Sequence, residues 1–136
     1  LAHQLAKDHM RRGEFPKAYQ MLATLADRSP PIHELLTDRQ RREIGERWFD
    51  LALVQSQLGR SREALQSVER VLQCSPKDPF AFAFAGDLSF TQGDTDQAIA
   101  YWGKAIKYGG DLLPEVKEKL EALQEQTAST TPPPRS

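Results

Sequence analysis

At 136 residues the chain has the size of one domain, long enough to bury a core without help from disulfides or metals. Its 18 basic residues against 19 acidic ones leave a net charge of -1, which excludes a global field toward nucleic acid or anionic lipid and makes any binding local and shape-driven. The lone cysteine, Cys74, excludes an internal disulfide and a thiolate metal cluster and favours a reducing, cytoplasmic setting, while no apolar stretch reaches the roughly 20 residues that insert in a bilayer.

A helical pattern is already running at Leu1, as in a processed form or a piece of a longer chain with a leader or anchor before it. It reaches Gly13-Glu14-Phe15-Pro16-Lys17-Ala18, a glycine followed five residues later by alanine. The same spacing returns in Gly59-Arg60-Ser61-Arg62-Glu63-Ala64 and again, 34 residues on, in Gly93-Asp94-Thr95-Asp96-Gln97-Ala98. Aligned on these glycines, Ala6, Ala52 and Gly86 coincide seven residues upstream, and Ala2, Trp48 and Phe82 eleven upstream. Downstream, Leu22, Val68 and Trp102 coincide at nine residues, and Pro30, Pro76 and Gly110 at seventeen.

Each position has a physical task. The small residue lets two antiparallel helices approach, the glycine takes a turn that calls for φ > 0, and the large apolar residues fill the space between the helices. Proline or glycine then ends the second helix.

This pattern resembles the tetratricopeptide repeat, a helix-turn-helix unit of 34 residues, over most of the chain. The resemblance implies an all-α solenoid of three such units. It departs from the family four residues before each turn glycine, where a tyrosine usually stands and this chain has His9, Gln55 and Ser89, which is expected to loosen the packing.

The units are expected at 1–31, 45–78 and 79–112, in one repeat domain over 1–126. The first two glycines are 46 residues apart, 12 more than the repeat, and the added residues fall within 32–44. Pro30-Pro31 ends one helix, Thr37-Asp38-Arg39-Gln40 has the form of a capping box, and Ile44, Trp48, Leu51, Gln55 and Leu58 continue at helical spacing. The first helix of the second unit is therefore lengthened, spanning about 38 to 58 and projecting by about two turns. Its charges read as a solvated face with Arg39/Glu43 and Arg42/Glu46 paired four residues apart.

After the third unit, Asp111 and Pro114 open a capping helix over 113–126, with Val116, Leu120 and Leu123 inward and acidic and basic residues outward. Residues 127–136, ending Pro132-Pro133-Pro134-Arg135-Ser136, read as a disordered tail.

Catalysis and cofactors are not expected. His3, His9 and His33 lack metal-ligand spacing, Cys74 sits near a helix C-terminus that disfavours a thiolate, and no glycine-rich phosphate loop occurs. Asp94-Thr95-Asp96 lacks the remainder of a calcium loop and reads as a helix cap. Trp48 and Trp102 fall at buried repeat positions.

The resemblance further implies a groove lined by the first helix of each unit. Carried over position by position, it is lined by His3, Lys7 and Met10, then Phe49, Leu53 and Ser56, then Ala83, Asp87 and Phe90, with Phe80 and Phe84 adjoining. Where relatives that clamp a chaperone's acidic tail carry lysine and asparagine, this chain has Phe49, Leu53, Ala83 and Asp87, and only Lys7 keeps a suitable charge. The expected role is that of a protein-binding scaffold or assembly factor for an apolar or amphipathic segment, such as a helix, centred on Phe49, Leu53, Phe80, Phe84 and Phe90. The alternatives are self-association through the same aromatics or the first unit's outer face, and regulation of a linked enzyme domain.

Overall fold

The computed structural model describes residues 2–130, with side chains to residue 126. Helices α1 (Ala2–Arg11) and α2 (Phe15–Asp27), α3 (Asp38–Gln57) and α4 (Ser61–Cys74), and α5 (Pro79–Thr91) and α6 (Thr95–Gly109) form three hairpins. A 3-10 turn, Gly110–Leu112, leads into α7 (Pro114–Thr130), and no strand occurs among the described residues. The fold is an all-helical array of three tetratricopeptide-like units with an elongated α3 and a closing helix.

The turns repeat in detail. Gly13, Gly59 and Gly93 have φ of 77, 77 and 84°, the left-handed region that costs an L-residue energy and glycine none. Around each glycine, paired backbone bonds close the preceding helix: Gly13 N–H to Met10 O with Glu14 N–H to His9 O, Gly59 N–H to Ser56 O with Arg60 N–H to Gln55 O, and Gly93 N–H to Phe90 O with Asp94 N–H to Ser89 O. These are Schellman closures, which satisfy carbonyls that a helix end otherwise leaves bare.

The core is a chain of overlapping three-helix clusters. Ala6, Ala18, Leu22, Ala26, Leu51 and Val54 join α1, α2 and α3. Ala52, Ala64, Val68, Val71, Ala81 and Ala85 join α3, α4 and α5, and Phe82, Ala98, Trp102, Ala105, Val116 and Leu123 join α5, α6 and α7. Each hairpin is thus covered by the first helix of the next, and α7 takes that part for the last one.

Two of the three residues in the tyrosine position, Gln55 and Ser89, find hydrogen-bond partners. Gln55 Oε1 accepts a 2.6 Å hydrogen bond from Ser67 in the buried α3–α4 seam, and Ser89 donates to Gln97 Oε1 at 3.3 Å. His9 Nδ1 lies 3.4 Å from Glu14 Oε2, without hydrogen-bond geometry.

The capping box at α3 forms both ways: Gln40 N–H donates to Thr37 Oγ1 at 3.1 Å, and Thr37 N–H to Gln40 Oε1 at 2.8 Å. Asp94 accepts from Gln97 N–H at 3.1 Å, the cap expected of it. The front of α3 is less free than its charge suggests. Ile44 and Gly45 are buried, Gly45 against the Cys74 side chain, because α3 lies over the end of α4. Arg41 donates to the carbonyls of His33 and Glu34 and so fastens the inserted loop, while Arg47 donates to Ser29 Oγ just past the end of α2. Arg39 and Glu43 pair at 3.3 Å, whereas Arg42 has no carboxylate within ion-pair distance among the described residues.

Trp102 is buried, but Trp48 is only half-buried, with the Arg70 guanidinium 5.9 Å from its ring. Helix α7 runs to Thr130, so the expected unstructured tail does not begin at 127. The expectation for 131–136 lies outside the described residues.

Candidate functional site

The first helices α1, α3 and α5 all contribute to one cavity. Asp78 helps to shape it: its carboxylate caps α5 by accepting from Phe80 and Ala81 N–H at 3.0 and 3.3 Å, while Pro79 supplies a helical φ at the first position. This fixes Phe80 at the mouth of the cavity, about 330 Å³ in volume and walled by Lys7 of α1, Arg42, Glu46, Phe49 and Asp50 of α3, and Val71 and Ser75 beyond.

Phe80 is 54% exposed. Phe84, one turn along, is half-buried with its ring 5.7 Å from that of Phe49. Leu53, one turn from Phe49 along α3, is also half-buried.

Of the five charged residues at this cavity, Lys7, Asp50 and Asp78 are spoken for, whereas Arg42 and Glu46 have no ion-pair partner among the described residues. Asp50 receives His3 Nε2 at 2.6 Å and Lys7 Nζ at 3.9 Å, tying α1 to α3, and Asp78 is occupied by the α5 amides. Lys7 is therefore partly neutralised and not the free cation its position suggests. Asp50 is the residue that sequence reasoning passed over; its one signal is that it adjoins Phe49, four positions before Val54 in the buried face.

At the other end of α5 the expected site divides. Phe90, 52% exposed, does not join Phe49 and Phe80; with Asp87, Thr91, Trp102 and Lys119, Ala122, Leu123 and Gln126 of α7 it lines a second cavity of about 390 Å³. Its ring centroid is 5.9 Å from that of Trp102.

Asp87 is committed here to structure. Its Oδ1 accepts from Trp102 Nε1 at 3.2 Å and from Lys119 Nζ at 3.2 Å, linking α5, α6 and α7. Met10 is half-buried and packs against the cluster that joins α1, α2 and α3.

Burial pushes the Cys74 thiol up from its usual range, partly countered by Arg41, which disfavours a nucleophilic thiolate. No group of three or more histidine, cysteine, aspartate or glutamate side chains suited to a metal occurs among the described residues, and none of their helices is long and apolar enough to cross a membrane.

No family model matches the chain, and no curated protein matches it. Solved structures do match its fold. It is similar to the type III secretion chaperone SycD of Yersinia enterocolitica, solved with a peptide of the translocator YopD, at 15% identity and TM-score 0.77, over 93% of this chain and 92% of that one. It is similar to PcrH of Pseudomonas aeruginosa, solved with the chaperone binding region of PopD, at 17% identity and TM-score 0.77, over 93% and 90%. MamA matches at 13% identity and TM-score 0.74, over 93% of this chain and 62% of that one. At these identities the likeness establishes the helical-repeat fold.

Proposed function

We propose that this protein is a non-enzymatic tetratricopeptide-repeat scaffold or assembly factor that holds an apolar segment of a partner protein on the face shared by its first helices. The observation that carries the reading is Phe80, a large aromatic held half exposed by a capped helix start, opening on a cavity walled by Phe49 and continued by Phe84. Fixed apolar surface of this kind loses water on binding, at about 25 cal/mol per Å² of apolar area covered. Two proteins of the same fold, SycD and PcrH, were solved with segments of translocator proteins, which supports a peptide-holding role.

The test places a photo-crosslinking phenylalanine analogue at position 80, maps the captured segment, and titrates the synthetic segment by calorimetry. Wild-type protein should bind it, and Phe80→Ser should weaken binding at least about ten-fold, while Leu5→Ser on the outer face of α1 leaves it unchanged. Equal affinity of Phe80→Ser and wild type overturns the reading.

Self-association is favoured by a different observation. Leu5 is exposed on α1, and Met21 and Leu25 line a shallow cavity beside Ala2 on the first hairpin. The fold neighbour SycD was also solved as an alternative dimer. A mass that rises with concentration in light scattering, and returns to monomer in Leu5→Ser, supports that second reading.

A further inference from the structure

A larger cavity, about 670 Å³, opens between α3 and α4 and shares no lining residue with the one beside Phe80. Trp48 and Gln55, two turns apart on one face of α3, form one wall. Helix α4 forms the other from Glu63 to Gln73, ten residues or about 15 Å along its axis. Apart from Trp48, every side chain that lines it is an amide, a carboxylate, a hydroxyl or a guanidinium.

The base of this cavity is built from a residue that departs from the repeat pattern. Gln55 stands where a larger tyrosine is usual, and it is only 6% exposed. Its Oε1 accepts from Ser67, itself 3% exposed, and its amide nitrogen has no hydrogen-bond partner among the described residues. A buried N–H without an acceptor is costly, so the occupant of the cavity has to accept from it.

The charges at the rim balance. Glu63 faces Arg60 at 3.6 Å and the Tyr19 hydroxyl at 3.4 Å. Glu69 and Arg70, neighbours on α4, have no ion-pair partners among the described residues; Arg70 lies 5.9 Å over the Trp48 ring and donates to Gln73 Oε1 at 3.3 Å. One free acid beside one free base favours neither a cation nor an anion. What the walls offer is hydrogen bonding of both senses: carboxylates accept, the guanidinium and the Gln55 nitrogen donate, and the amides of Gln66 and Gln73 do both. A hydroxyl group likewise donates and accepts, and it brings no charge to be desolvated. A peptide would bring side chains for which these walls hold no apolar seat besides Trp48. The half-buried Trp48 ring suits the C–H face of a sugar ring, and the volume lies in the range of small-molecule sites.

We propose that the α3–α4 cavity is a second binding site of this protein, for a small neutral polyhydroxylated ligand of the mono- or disaccharide class. Gln55 and Ser67 hold it at the base, Glu69 and Arg70 at the rim, and the Trp48 ring at the side. The site is separate from the groove and stands or falls independently of the partner held there.

Calorimetry and saturation-transfer NMR on the full chain test this with glucose, galactose, mannose, N-acetylglucosamine, maltose and lactose as probes, and with free arginine and citrate as charged counterparts. At least one saccharide should bind one-to-one with a Kd of about 1 mM or below, and neither charged probe should compete with it. Arg70→Ala, an exposed change, should weaken that binding at least about ten-fold, while Arg62→Ala, which removes the same charge from an exposed α4 position outside the cavity, leaves it unchanged. Gln55→Tyr, which restores the usual residue and fills the base, should abolish it, with circular dichroism confirming the fold. Glu69→Ala gives the same reading at the rim should Gln55→Tyr fail to fold.

If no saccharide binds the wild type below about 10 mM, the cavity holds water only and the proposal is overturned. Saccharide binding that Arg70→Ala, Glu69→Ala and Gln55→Tyr all leave intact places the ligand elsewhere and overturns it too. Binding of arginine or citrate that Arg70→Ala or Glu69→Ala abolishes, with the saccharides idle, shows that charge governs the cavity and overturns the neutral assignment.

Discussion

The second and third hairpins solve the same packing problem with different residues. In the second, Ala52 of α3 and Val68 of α4 occupy the repeat positions where the two helices approach, and both are fully buried. In the third those positions hold Gly86 and Trp102, and a Cβ placed on Gly86 would come within 2.2 Å of the indole. One side chain has shrunk to nothing to admit the largest. The exchange has a polar consequence, because a buried indole N–H needs an acceptor and valine has no such need. Asp87, beside Gly86, provides it, and Lys119 meets the same carboxylate oxygen. A packing choice in the α5–α6 seam thereby removes a carboxylate from the open face and fastens α7.

The largest effect should come from emptying the tryptophan site. Trp102→Ala should cost about 3–5 kcal/mol in urea unfolding, since the Gly86 side offers no atoms to collapse into the space. Val68→Ala, at the equivalent position in the second hairpin, should cost clearly less. Equal costs would remove the contrast. Next comes the reciprocal change: Gly86→Ala should destabilise by about 1–3 kcal/mol through overpacking, and much of that should return in Gly86→Ala/Trp102→Val, which rebuilds the alanine–valine pair. Additive costs in that cycle would show that the close contact is not what constrains position 86.

A second contrast lies in the position where the family usually has tyrosine. Ser67→Ala leaves the buried Gln55 amide without its 2.6 Å partner and should cost about 1–3 kcal/mol. Ser89→Ala breaks a longer bond, 3.3 Å, to the half-buried Gln97 and should cost under about 1 kcal/mol, because water can reach the glutamine.

How much of this was legible in sequence follows from the range of the interactions involved. The turn glycines, the Thr37–Gln40 capping box and the Asp94 cap were readable because each is decided within six residues by backbone geometry. The groove positions came from the resemblance, carried over position by position, and in the structure Phe49 lies beside Phe84 and shares a cavity with Phe80. What a side chain on that face is bonded to was not legible. Asp50 answers to His3, 47 residues away, and Asp87 to Lys119, 32 residues away, and no local pattern encodes either pairing. Phe90 was assigned to the same surface as Phe49 because the resemblance names a position on the first helix of a unit but not which neighbouring helix flanks it. Helix α7 does flank it, and divides the expected site in two.

The smallest effect separates the two roles of Asp87. The Lys119–Asp87 pair is partly exposed on both sides, so Lys119→Ala should cost no more than about 1 kcal/mol, and 1 M salt should erase the difference from wild type. Asp87→Ala should cost more and keep most of its cost in salt, because it also strips the acceptor from a buried indole N–H. Asp87→Asn should sit between them, since its amide oxygen still accepts from Trp102 while the attraction to Lys119 is lost. If Lys119→Ala instead costs as much as Asp87→Ala, the carboxylate serves chiefly to hold α7, and the tryptophan would not be the reason an acid stands at this position.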